Sequence, residues 1–147
     1  MNRIRAVLLL GACLAAPAWA CEGLVVEQAR VIEAPPGATI LAAYATLRNS
    51  GDKVITITSA DSPDFASAEF HQMMMVDGMM HMQQEDTLII PAHSLLTLKS
   101  GQSHLMLFDP KRPLKSGDNV TLNLHCGAAS QAIAFPVQAP QPPAQNQ

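Results

Sequence analysis

Hydrophobic and polar residues alternate with a period of two along much of this chain. Val120, Leu122, Leu124 and Cys126 interleave with Thr121, Asn123 and His125; Ile55 and Ile57 flank Thr56; Ile133, Phe135 and Val137 repeat the pattern near the end. Alternation of this kind sends successive side chains to opposite faces and marks half-buried strands. Turn-forming clusters separate the runs at Pro35-Pro36-Gly37, Asn49-Ser50-Gly51-Asp52, Asp77-Gly78, Ser100-Gly101 and Ser116-Gly117-Asp118. Leu41 to Leu47 is rich in alanine, but Tyr44, Thr46 and the flanking Pro and Gly favour a strand there too. No uninterrupted segment carries a 3.6-residue apolar stripe of helical length. Many short strands without helices predict an all-β antiparallel sandwich or barrel.

The two ends stand apart from this pattern. Residues 1–20 read as a signal peptide: a basic start at Arg3 and Arg5, an apolar stretch from Ala6 to Pro17, and small residues at Ala18 and Ala20 before the cleavage point. The apolar stretch is too short to span a membrane. A lipoprotein signal acylated at Cys21 is the weaker reading, because Ala18 and bulky Trp19 stand where an aliphatic and a small residue are usual. Residues 139–147, with Pro140, Pro142 and Pro143 among Gln, Ala and Asn, read as a disordered tail. Residues 21–138 are left as one domain in an exported, periplasmic protein. After cleavage, seven Lys plus Arg face twelve Asp plus Glu, a formal charge of −5. No basic stripe remains to hold nucleic acid or an anionic membrane surface. Cys21 and Cys126, the pair that survives cleavage, read as one disulfide in an oxidising compartment.

Candidate chemistry is concentrated in two short segments. Apart from Met1 there are seven methionines; six fall between Met73 and Met82, and the seventh is Met106 in His104-Leu105-Met106. His71 precedes the dense run and His81 lies inside it. Thioether sulfur is a soft, uncharged ligand that selects Cu(I), and imidazole suits copper in either oxidation state. Asp77-Gly78 predicts a type I′ hairpin, which pairs Val76 with Met79, Met75 with Met80, Met74 with His81 and Met73 with Met82. His71, Met73, Met75, Met80 and Met82 then share one face, and Met74, Met79 and His81 the other. His104 and Met106 share a face by their spacing of two, with Leu105 and Leu107 turned to the core. His71, Met82, His104 and Met106 form a four-donor set suited to one Cu(I) per chain. Met73 and His81 are auxiliary candidates. Core packing accounts for Met74 and Met79 as well as ligation does, and His93 and His125 lie at turn or solvent-side positions.

The spacing H-x10-M-x21-H-x-M, formed by His71, Met82, His104 and Met106, resembles the periplasmic Cu(A) copper chaperone family, PCuAC. Ala68-Glu69-Phe70-His71, Asp77-Gly78-Met79-Met80-His81-Met82 and Gly101-Gln102-Ser103-His104-Leu105-Met106-Leu107 carry the resemblance, with Asn49 and Gly51 after Tyr44 and Pro113-Leu114 ahead of Gly117-Asp118-Asn119-Val120. It extends over about residues 23 to 138. The resemblance implies a cupredoxin-like Greek-key fold and delivery of Cu(I) towards the Cu(A) centre of cytochrome c oxidase. The expected partner is an apo Cu(A) domain or another copper chaperone, and the expected state is a monomer. The Met73-Met74-Met75 run and the cysteine pair lie outside the family motif.

Three rival readings stand beside this one, the plainest a secreted binding module with oxidation-prone surface methionines, which failure to bind Cu(I) would favour. A blue-copper electron carrier needs a Cys thiolate followed closely by His and Met, and neither follows Cys126. A copper buffer or resistance protein would use the same ligands, and the sequence does not separate storage from delivery. An enzyme is not indicated: there is no Ser-His-Asp or Cys-His arrangement, no open-site zinc triad and no paired carboxylates in a ligand-rich segment.

Overall fold

A computed structural model describes residues 20–141. The signal peptide reading, Ala20 apart, and the last six residues of the expected tail lie outside the described residues. Within them there are eleven strands and no helix, hence no helix long and apolar enough to cross a membrane. In chain order they are β1 (Leu24–Ile32), β2 (Ile40–Asn49), β3 (Ile55–Ile57), β4 (Ser59–Asp61), β5 (Phe65–Val76), β6 (Met79–Glu85), β7 (Leu88–Ile90), β8 (Leu95–Leu98), β9 (His104–Pro110), β10 (Asn119–Cys126) and β11 (Ala129–Gln138).

The strands close into a barrel. The order β1-β11-β10-β4-β5-β9-β2 returns to β1, which pairs parallel with β11 on one edge and antiparallel with β2 on the other. Closure removes the free edges that an open sandwich would leave, and it decides between the two all-β architectures in favour of the barrel. β8 adds to β2, β6 adds to β5, and β3 and β7 form a separate two-stranded sheet.

The alternating residues fill the interior. Leu41, Ala43, Ala45 and Leu47 of β2, Leu105 and Leu107 of β9, and Val120, Leu122 and Leu124 of β10 are all buried, around Phe65 and Phe135. Each fully buried large apolar side chain stabilises the fold by ~1.5–3 kcal/mol relative to exposure. The alanine-rich segment of β2 is therefore a strand whose small inward residues let neighbouring strands carry the bulk.

Two fasteners hold the barrel at the start of β1. Cys21 is buried and disulfide-bonded to Cys126 at the end of β10, with Cα atoms 5.7 Å apart. Asn49, also buried, donates from its amide to the Lys53 and Ile90 carbonyls (2.6 and 3.0 Å) and accepts from the Gly51 N–H at 3.0 Å. Gly23, at φ +82°, packs so closely here that a Cβ would meet the Gly51 nitrogen at 3.0 Å. Only glycine suits both that conformation and that space.

Candidate metal centre

The methionine-rich segment is a hairpin that outruns the barrel. Asp77 and Gly78 have φ of 49° and 78°, the two positive values that a type I′ turn demands. The pairing follows: Val76 with Met79, Met75 with Met80, Met74 with His81, Met73 with Met82, His71 with Gln84. Pairing with β9 covers β5 only from Phe65 to His71. Beyond His71, β5 and β6 continue as a two-stranded ribbon, and Met74 through Gln84 are exposed.

Where the ribbon leaves the barrel, the register of β5 against β9 sets His71 directly opposite His104. Their rings stack with centroids 6.1 Å apart. Neither imidazole is loose. His104 is 8% exposed, and its Nδ1 lies 2.9 Å from the Gln102 carbonyl oxygen. A carbonyl only accepts, so Nδ1 carries the proton and Nε2 keeps the lone pair. His71 is held by its other nitrogen: Nε2 donates to the Glu69 carboxylate at 3.1 Å, and the lone pair falls on Nδ1. That Nδ1 is buried without a hydrogen-bond partner, an arrangement that costs free energy unless something binds there. Phe108 flanks His71 with centroids 6.5 Å apart. Each of the two facing rings thus keeps one nitrogen without a hydrogen-bond partner among the described residues.

Thioethers lie close to the two imidazoles. Met106, two residues along from His104, is opposite Glu69 on β5 and Ala42 on β2. Met106, His104, Met73, Tyr44 and Gly101 line one open depression, whose floor Ala42 keeps low by presenting only a methyl group. Of the four expected donors, the structure thus gathers His71, His104 and Met106. Met82 is 52% exposed on the outer strand of the ribbon, on the same face and directly across from Met73. Met73, directly across from Met82, is the hairpin methionine that also lines the depression with His104 and Met106.

Other candidates fall elsewhere. His81 pairs with Met74 on the reverse face of the ribbon. Met74 and Met79 are exposed, which removes core packing as one of the two accounts of them: the ribbon has already left the barrel where they occur. His93 bonds Asp52 at 2.8 Å. His125 bonds Asp61 on β4, and with Asn123 it holds that carboxyl below the usual range. Among the described residues no three His, Cys, Asp or Glu side chains converge as a metal site. The side chains that do meet here are two histidines and neighbouring methionines, a set unlike the Cys- and carboxylate-containing ones typical of zinc.

Sequence reasoning missed Glu69. Its signal was present in the spacing of two from His71, which puts both on one face of β5, but many strand carboxylates share that spacing with a histidine. A carboxylate on the distal nitrogen fixes an imidazole's tautomer and direction, and losing such a partner typically costs 10–100-fold in metal affinity. Glu69→Ala is expected to weaken metal binding by about that factor, while Glu69→Gln, whose amide oxygen still accepts from Nε2, recovers most of it. Competition titration of the two variants measures the difference.

The chain belongs to the LpqE-like family: residues 24–137 match the family model described as "Putative lipoprotein LpqE-like". It is 32% identical over 124 residues to "Putative lipoprotein Lxx21020" of Leifsonia xyli subsp. xyli, covering 83% of this chain and 74% of that protein. RP573 of Rickettsia prowazekii is 29% identical, over 63% of this chain and 51% of its own length. Among solved structures, the copper-bound PCuAC domain from PmoF2 superposes with a TM-score of 0.69 at 25% identity, over 83% of this chain and 97% of that domain. DR1885 from Deinococcus radiodurans in its CuI form does so with a TM-score of 0.66 at 34% identity, over 84% and 83%. The fold is the cupredoxin-like barrel of PCuAC domains.

Proposed function

We propose that this chain is a Cu(I) metallochaperone of the cell envelope, holding one copper ion at His71, His104, Met106 and a hairpin thioether and delivering it to the Cu(A) site of cytochrome c oxidase. The observation that carries the reading is the pair of facing imidazoles, each with one nitrogen committed to a neighbour and the other bare, beside two thioethers at an open lip. Neutral nitrogen and soft sulfur donors without a thiolate fit Cu(I) better than zinc or iron. The copper-bound states of the similar PmoF2 domain and DR1885 support the cargo. The reading is of a carrier rather than an enzyme.

Direction of transfer follows from ligand chemistry. An acceptor with cysteine thiolates binds Cu(I) more strongly than thioethers and imidazoles do. It can displace the exposed hairpin sulfur first and the buried His104 last, so copper need never be free. An envelope location accords with the lipoprotein names of the family and of the Leifsonia relative. The Cys21 sulfur is committed to Cys126, which leaves no thiol for a lipid and favours ordinary cleavage over acylation.

Surplus thioethers on the ribbon favour a second reading, copper buffering without a dedicated acceptor. Anaerobic mixing of the Cu(I)-loaded protein with an apo Cu(A) domain separates the two. A chaperone metallates the domain faster than a small-molecule Cu(I) complex of equal affinity does; a buffer gives no advantage. Tight Zn(II) with feeble Cu(I) binding would overturn both.

A further inference from the structure

We propose a second Cu(I) site on the reverse face of the β5–β6 ribbon, formed by Met74, Met79 and His81. It rests on the Cu(I) reading of the first site but uses none of its donors.

The register alone places these three side chains together. Met74 is directly opposite His81, a pairing that holds Cβ atoms ~4.5–5.5 Å apart. Met79 lies two residues before His81 on the same strand face, roughly 7 Å away along the strand. Two flexible thioethers and one imidazole at these separations can close on a single ion, and a two-sulfur, one-nitrogen set is complete for three-coordinate Cu(I).

Packing does not account for these residues. Met79 is 62% and Met74 41% exposed, and Val76 beside them is exposed too. This face continues the line of Phe70, which is buried in the core, but Met74 lies beyond His71, the last residue of β5 paired with β9. His81 is exposed, with neither a hydrogen bond nor an ion pair to a side chain among the described residues. An ordinary solvent face of a ribbon carries Thr, Lys or Glu; here the exposed positions nearest the turn are soft donors or valine.

Strand alternation keeps the two sites apart. Met73, Met75, Met80 and Met82 face the first site's side, and Met74, Met79 and His81 face away. The sites therefore fill independently, the outer one more weakly, because its donors are solvent-exposed and not preorganised by partners such as Glu69 and Gln102.

The test is anaerobic titration of the full mature chain with Cu(I) against a colorimetric chelator, with the ε-methyl groups of methionine followed by NMR. Wild type is expected to take up a second equivalent at least ten-fold more weakly than the first, shifting the Met74 and Met79 methyl signals after that of Met106. Met79→Ala/His81→Ala should lose the second equivalent and keep the first at unchanged affinity. His104→Ala/Met106→Ala should keep the outer equivalent. Saturation of wild type at one equivalent, or a second equivalent that survives Met79→Ala/His81→Ala, overturns the outer site. If His104→Ala/Met106→Ala loses nothing, it is the first site that has been misassigned. Because Met79 and His81 are exposed on the ribbon, Met79→Ala/His81→Ala should retain the wild-type melting temperature; His104→Ala/Met106→Ala lies on barrel strand β9, and far-UV circular dichroism confirms that it is folded before its titration is read.

Discussion

Replacing His104 with alanine is expected to lower Cu(I) affinity by more than the ~10–100-fold that loss of an outer partner costs, with the barrel still folded. His104 is the least exposed donor, and the Gln102 carbonyl fixes its tautomer, so its nitrogen is in place before copper arrives. No other histidine is placed to replace it: His71 is already one of the proposed donors, and His81 faces away. Met82→Ala is expected to do less. Met73 lies across from it on the same face and lines the depression with His104 and Met106, so it can take over the thioether position. Met73→Ala/Met82→Ala should then approach the His104→Ala loss. Chelator competition gives the affinities, and far-UV circular dichroism shows whether the fold persists. Equal losses from Met82→Ala alone and from the double variant would rule out the exchange of one thioether for the other.

The second large effect concerns stability rather than copper. Cys21 and Cys126 are 105 positions apart, and a cross-link closing so long a loop stabilises by roughly 2–5 kcal/mol through the unfolded chain. For a domain of this size that corresponds to a fall in melting temperature on the order of 10 °C. Cys21→Ala/Cys126→Ala is expected to show it, by calorimetry, at neutral pH and without reductant. Neither cysteine is on a strand that carries a proposed copper donor, so Cu(I) affinity should stay within about three-fold of wild type wherever the variant remains folded. A variant as stable as wild type would mean that Asn49 and the core already secure the start of β1.

Much of this was legible because it is locally determined. Asp77-Gly78 dictates its turn, the turn dictates the register, and the register dictates which methionines share a face; the structure follows that chain of reasoning residue by residue. Alternation in β10 likewise marks its buried face. The pairing of His71 with His104 was not legible, since it depends on where β5 meets β9 across more than thirty residues of intervening chain. Nor was barrel closure through the parallel β1–β11 contact, which no periodicity encodes. Whether Met74 and Met79 are packed or exposed was left open for a related reason. Alternation tells which face a residue takes, but not whether the sheet still has a core beneath it.

That overhang has a kinetic consequence. β6 is hydrogen-bonded only to β5, and an isolated two-stranded ribbon is marginally stable in water. Its strands can part in local openings that leave the barrel intact, at a free energy far below that of global unfolding. His104 and Met106, set between β5 and β2, do not take part in such openings. A metal bridging the two regions therefore has one wall that breathes and one that stays still, and its residence time is governed by the looser wall.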